Sequence, residues 1–245
     1  MIHKSIKGKL EPTYNKYRIY ATEIYRNIFY GKLPRSITEV KKEYNVPDAT
    51  TVTKRLCFIH NKKYRMLNDE EIRDIIVQSL ADKLKTQKFK SILEIGCGSG
   101  RNLTVLKKMF PDKKMYGLDI AEQMVKEAKI NNPSIKFFCC SASKIPFADN
   151  SIDVIFSVHA IEQMTAVLPF VIAELKRVCK DRIILMEPFP EVQNWIGVLH
   201  NKRLGYPMDV YSRVLSAGFQ ISCFKALGFG NPINKTGLLI AEQKQ

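Results

Sequence analysis

The sequence predicts an α/β fold, an open and mostly parallel sheet of seven strands with helices on both faces. Three observations predict it. A short apolar strand at 91–95 runs into glycines at three alternate positions, Gly96, Gly98 and Gly100, and a helix-forming run over 102–110 follows. The next apolar run, 114–118, ends in Asp119. From there, apolar runs of strand length alternate with helical patterns to the end of the chain, the order that builds parallel βαβ units.

Each element has a local reason. The run at 91–95 is apolar, short and bounded by glycine, as a buried strand is. Alternate glycines let the backbone turn through positive φ and approach a ligand where any Cβ would collide. The helix behind them offers free N–H groups and the positive end of its dipole, a setting for a carboxylate or a phosphate. The turn therefore points to a nucleotide-type cofactor. Asp119, at the end of the second strand, is placed to accept both hydroxyls of a ribose. A dinucleotide fingerprint does not fit, because its sixth position is Arg101 and the third glycine arrives one residue early. A phosphate loop does not fit either, since no Gly-Lys-Ser or Gly-Lys-Thr occurs.

Further along, a third strand carries Cys139 and Cys140, and a fourth is expected at 154–158, leading into His159. A helix at 171–179 and a strand at 182–186 follow. A helix beginning near Asp209 closes on Ala217-Gly218-Phe219, which opens a sixth strand, and 237–241 suits a seventh.

Taken jointly, Glu94-x-Gly-x-Gly-x-Gly100, Asp119, the run 140–155 with its Ile145-Pro146-Phe147 turn, the segment 159–164 and Ala217-Gly218-Phe219 resemble the class I S-adenosylmethionine-dependent methyltransferases. The branch that they are most similar to is the ubiquinone/menaquinone-type small-molecule one. The resemblance covers about residues 70–245. It implies a Rossmann-like seven-stranded sheet, S-adenosyl-L-methionine as cofactor and S-adenosyl-L-homocysteine as product. It implies that Glu94, Gly96, Cys97, Gly98, Gly100 and Asn102 bind the cofactor around the turn. Asp119 would take the ribose, Ile120 would pack on the adenine, and Ser141, Ala142 and Val158 would complete the site. Ser141 stands where the family has an aspartate, and a hydroxyl accepts from the adenine amino group more weakly than a carboxylate.

Methyl transfer is an in-line displacement at a carbon already activated by the sulfonium, so holding acceptor and methyl in line supplies much of the catalysis. A base is needed chiefly for a hydroxyl or a protonated amine, and a histidine suits that task. His159 lies at the lip where open α/β sheets bind ligands. It is the first candidate for that base, with Glu162 as an alternative or as its orienting partner; a plain packing role weighs equally. His200 is a weaker candidate. Glu187, followed by Pro188-Phe189-Pro190, and Trp195 in the insert after strand five are candidates for acceptor contacts.

With 245 residues and 45% hydrophobic content, one sizeable core is expected. No run of 18 apolar residues is present, and the first residues lack the pattern of a secretory signal. Six cysteines include no Cys-x-x-Cys pair, so free thiols in a reducing cytoplasm are expected, with no metal site.

The net charge of +15 is unevenly placed, with +10 in residues 1–68, which also hold seven of the ten tyrosines. Two parts follow: a basic, tyrosine-rich helical cap or lid at 1–68 and the catalytic domain at 69–245. Tyr14, Tyr17, Ala21, Ile24, Tyr25 and Ile28 recur at helical spacing, which offers Tyr17 and Tyr20 to an acceptor or to the core. A winged-helix-like element fits 36–66: a short helix capped by Ser36 with Glu39 in a capping box, a turn at 45–48, a second helix beginning near Ala49, and 62–66 as the arm of a small wing.

The function expected is methyl transfer to an oxygen or nitrogen of a small molecule (aromatic, sugar or phosphorylated). An RNA or protein acceptor is the alternative, and a DNA-binding regulator that senses the cofactor is a third reading. The absence of Asp-Pro-Pro-Tyr or Asn-Pro-Pro-Tyr after strand four, and of any Pro-Cys, argues against the usual DNA-base methylation contexts. A homodimer is compatible with the sequence.

Overall fold

The computed structural model describes residues 18–21, 38, 55–59 and 63–244. One mixed sheet organises them. Its strands in chain order are β1 (Arg55–Ile59), β2 (Lys63–Leu67), β3 (Ser91–Ile95), β4 (Lys114–Asp119), β5 (Lys136–Cys139), β6 (Ile152–Val158), β7 (Cys179–Glu187), β8 (Phe219–Asn231) and β9 (Asn234–Gln243). Across the sheet they lie in the order β2-β1-β8-β9-β7-β6-β3-β4-β5. From β3 to β8 every strand runs the same way, and β9 is inserted antiparallel between β7 and β8. These are the seven strands expected from sequence.

Helices cover both faces: α1 (Asp69–Lys85), α2 (Arg101–Met109), α3 (Glu122–Asn131), α4 (Leu168–Val178), α5 (Trp195–Leu204) and α6 (Val210–Ser216). Alternation along the strands divides the core in two. Ile92, Phe156 and Met186 pack with Val77 and Leu80 of α1 and Leu103 of α2. Leu93, Ile155 and Leu185 point the other way, onto Val171 and Leu175 of α4 and Val214 of α6. Burying a leucine or isoleucine of this kind contributes roughly 1.5–3 kcal/mol. Asn68 starts α1 with a reciprocal cap, its Oδ1 accepting from the Glu71 N–H at 2.8 Å while Glu71 Oε2 accepts from the Asn68 N–H at 2.8 Å.

The N-terminal segment, expected as a helical cap with a wing arm at 62–66, carries two strands among its described residues. Arg18–Ala21 is helical, and Arg55–Ile59 is a strand, so the run 36–56 that reads as helix-turn-helix ends in a strand. Arg55-Leu-Cys-Phe-Ile59 combines an aromatic and a β-branched residue, a composition that suits a pleated surface. β1 pairs with β2 and with the far end of β8, where Phe58 lies opposite Gly230, and so extends the sheet to nine strands. Residues 36, 37 and 39–54, with the capping box and the first helix of the winged-helix reading, lie outside the described residues, as does Tyr17.

Candidate active site

At the carboxyl ends of the parallel strands, the chain leaves β3 and β6 in opposite directions, and a cavity of about 270 Å³ opens there. Its floor is the glycine turn. The N–H groups of Gly96 and Cys97 both donate to Leu118 O, at 2.9 and 3.0 Å, which locks the turn to the end of β4. Gly96, Gly98 and Gly100 all have positive φ, at 69°, 51° and 78°. A methyl built on Gly96 falls 2.4 Å from Ala160 Cβ, so only glycine lets the turn meet the segment after β6. At Gly98 the same methyl meets nothing within 4 Å, and Gly98 lines the cavity.

Asp119 ends β4 in the cavity wall. Its Oδ2 accepts from the Gly98 N–H at 2.8 Å and its Oδ1 from the Ala121 N–H at 2.9 Å. The carboxylate is thus oriented from both sides while each oxygen keeps lone pairs for a ligand. Leu118, Ile120, Met124, Cys140 and Ala142 give this end an apolar lining. Ser141 joins them, its Oγ 2.7 Å from Ser143 Oγ. At the other end lie Arg101, Ala160, Gln163, Met164 and the ring of His159.

His159 has φ 51°, a left-handed conformation that costs a non-glycine residue strain and persists only where the surroundings hold it. Its N–H donates to Met186 O at 3.0 Å. Its Nδ1 lies 2.9 Å from Glu162 Oε2 and its Nε2 2.8 Å from Thr236 Oγ1. Glu162 is buried, away from the cavity lining, and holds the ring. The geometry gives it the orienting position of the two offered by the sequence.

Beneath the floor, Glu94 is 1% exposed, and its Oε1 accepts from Asn102 Nδ2 at 2.7 Å while Oε2 has no partner among the described residues. Burial pushes this carboxyl up to about 8, against the Asn102 hydrogen bond, and the Asp119 charge adds to the rise.

Of the residues expected to bind cofactor, Gly96, Gly98, Asp119, Ile120, Ser141 and Ala142 line the cavity. Glu94, Cys97, Gly100, Asn102 and Val158 do not, and form a layer behind it. Cys97 is buried against Gly117, and a methyl on Gly100 would strike the Phe137 ring at 2.8 Å, so that face points into the core. Two residues expected to contact the acceptor lie outside the cavity lining. Trp195 opens α5 with 64% of its surface exposed, outside the cavity lining. Glu187 is 2% exposed and turned toward backbone N–H groups. Tyr20 stands against the insert after β7, where its hydroxyl accepts from Asn194 Nδ2 at 3.2 Å. Arg101, Met124, Gln163 and Met164 are not among the expected site residues; Arg101 directly follows the third glycine, and Gln163 and Met164 fall within the segment 159–164 that carries the resemblance, while Met124 carries no motif that marks it.

Residues 93–185 match the family model described as "Methyltransferase domain". A ubiquinone/menaquinone biosynthesis C-methyltransferase of Desulfotalea psychrophila is 25% identical over 164 residues, 64% of this chain and 63% of the relative. The chain thus spans less than two thirds of that relative's length. Among solved structures, the cyclase SpnF superposes with a TM-score of 0.65 at 14% identity, covering 87% of this chain and 98% of that one. The geranyl diphosphate C-methyltransferase of Streptomyces coelicolor, solved with S-adenosyl-L-homocysteine, gives 0.62 at 11% identity, covering 86% and 100%. Residues 93–185 thus carry a methyltransferase domain, in a sheet order and with a glycine turn that make the chain similar to class I S-adenosylmethionine-dependent methyltransferases.

Proposed function

We propose that the chain transfers the methyl group of S-adenosyl-L-methionine to an oxygen or nitrogen of a small-molecule acceptor, in the cytoplasm. The single observation that carries this reading is Asp119 facing the cavity beside the bare backbone of Gly98. A carboxylate for ribose hydroxyls and a backbone that a ligand can approach closely stand side by side. The cofactor, when bound, supplies an activated methyl. Asp119 would hold the ribose, and Ile120, Met124 and Ala142 would enclose the base. Gly96 and Gly98 would admit the amino-acid end past His159.

Among the described residues His159 is the one histidine in the cavity lining, and Glu162 and Thr236 hold its ring. On this reading Nε2 takes the acceptor's proton as the new bond forms, giving up its hydrogen bond with Thr236 Oγ1 to do so, while Glu162 stabilises the imidazolium through Nδ1. Tyr20, meeting Asn194 at the start of α5, belongs to the cover of the acceptor side. The similarity of the chain to a quinone-pathway C-methyltransferase supports a small acceptor.

Calorimetric titration with S-adenosyl-L-methionine and S-adenosyl-L-homocysteine tests the cofactor, and methyl-labelled transfer to hydroxyl, amine and enolic acceptors tests the reaction. Micromolar binding followed by a product methylated at oxygen or nitrogen supports the reading. A C-methylated product overturns the choice of atom, and absence of binding overturns the whole.

A further inference from the structure

Glu187 is buried near the cavity, yet it does not line it. It ends β7, next to the end of β6, and the parallel register that sets Ser157 opposite Leu185 brings its carboxylate under the chain leaving β6. Oε1 accepts from Ser157 Oγ at 2.7 Å and from the N–H groups of Ala160 and Ile161 at 3.1 and 3.2 Å. Oε2 accepts from the Glu162 N–H at 3.3 Å. One carboxylate therefore gathers three consecutive backbone N–H groups, an arrangement that favours an anion.

That segment is the wall of the cofactor cavity. Ala160, Gln163 and Met164 line it, and Ala160 Cβ is the atom that requires glycine at position 96. The left-handed His159 immediately precedes the three N–H groups. From these contacts we propose that Glu187 is a positioning residue of the cofactor site, its ionised carboxylate holding the 160–162 turn in the shape that binds cofactor. The proposal rests on the methyl-transfer reading for the identity of the cofactor.

The groups facing Glu187 are the Glu162 carboxylate and the His159 ring, from the segment after β6. The Tyr206 phenol borders the same small hollow, and β9 brings only Gly237 opposite it. Burial, with the Glu162 charge adding to it, pushes Glu187 up to about 7, while His159, Ser157 and the Ala160 N–H favour ionisation. Its protonation therefore falls in an accessible range. A protonated carboxyl presents an O–H where an acceptor is needed, so the turn loosens as pH drops through 7.

The test is calorimetric affinity for S-adenosyl-L-methionine at pH 6 and pH 8 for wild type, Glu187→Gln and Ser157→Ala. Circular dichroism shows that each is folded. The ligand's own amine titrates alike in all three and cancels in the comparison. Wild type is expected to bind about tenfold more weakly at pH 6, about 1.4 kcal/mol. Glu187→Gln is expected to bind weakly at both pH values with a ratio near one. Ser157→Ala, with one donor to the carboxylate removed, is expected to shift the midpoint to higher pH.

A folded Glu187→Gln that keeps the wild-type ratio overturns the proposal. If Glu187→Gln does not fold, an unmoved midpoint in Ser157→Ala overturns it. Failure of wild type to bind at either pH overturns the methyl-transfer reading instead, and so is a different result.

Discussion

The backbone N–H of Gly98 donates to Asp119 Oδ2 at 2.8 Å, which ties the centre of the glycine turn to the carboxylate at the end of the neighbouring strand. One hydrogen bond thus joins two parts of the cavity that are 21 residues apart in sequence. It orients Asp119 before any ligand arrives, so little side-chain freedom is lost on binding.

Asp119→Ala removes the acceptor offered to the ribose and the anchor of the turn together. Hydrogen bonds to a charged group contribute about 1.5–3 kcal/mol, so affinity for S-adenosyl-L-methionine is expected to fall roughly tenfold to a hundredfold. Calorimetry reads this directly, and undiminished affinity removes Asp119 from the site.

Gly96 and Gly98 separate stability from binding. Gly96→Ala places a methyl 2.4 Å from Ala160 Cβ at φ 69° and is expected to cost about 2 kcal/mol or more of stability. Gly98→Ala meets no protein atom within 4 Å and carries only the strain of φ 51°, about 1 kcal/mol. Its methyl instead enters the cavity. Thermal unfolding should thus show the larger loss in Gly96→Ala. Cofactor titration should show loss of affinity in Gly98→Ala while the fold persists. Equal melting temperatures would refute the steric account of Gly96.

How much of this was legible before the structure depends on the range of the physical cause. The glycine turn and Asp119 are read from sequence because positive φ and a strand-end carboxylate are local demands. The roles of Glu187 and Thr236 are not, since both arise from register: β6 beside β7 puts Ser157 near Glu187, and β9 beside β7 brings Thr236 to His159. Gln163, Met164 and Val167 reach the cavity from short 3-10 turns, which have no periodicity to detect. Trp195 drew attention by its chemistry, but its place at the start of α5 turns it to solvent. Of the hairpin β1–β2, the arm expected at 62–66 overlaps β2, while β1 continues a run read as helix-turn-helix.

His159 is expected to act in the chemical step more than in cofactor binding. Its ring lies between Glu162 and Thr236, so His159→Gln should lower kcat by about 10²–10⁴ on a hydroxyl or ammonium acceptor while the cofactor Kd changes little. Thr236→Val releases only the Nε2 side of the ring and is expected to cost less, about tenfold, through lost orientation. Steady-state kinetics with a separate cofactor titration distinguishes these effects. A parallel fall in affinity and turnover would assign the ring a packing role.

Glu94 links the floor of the site to the pH dependence of folding. Its carboxyl stands at about 8 in the fold and near 4.5 when unfolded, with burial the main cause and Asn102 its one hydrogen-bond partner among the described residues. Between those values the folded chain keeps a proton that the unfolded chain has released, so stability falls as pH rises, by up to about 1.4 kcal/mol per pH unit for this group. The favourable contribution is complete below 4.5 and lost by pH 8. Glu187, raised to about 7, acts in the same sense over a narrower window. Glu94→Gln keeps the acceptor for Asn102 and cannot ionise. The variant should therefore melt increasingly above the wild type as pH rises from 5 to 9, and the two curves should converge toward acid. Parallel curves across that range would mean that Glu94 stays ionised in the fold, with a counter-charge or water satisfying Oε2.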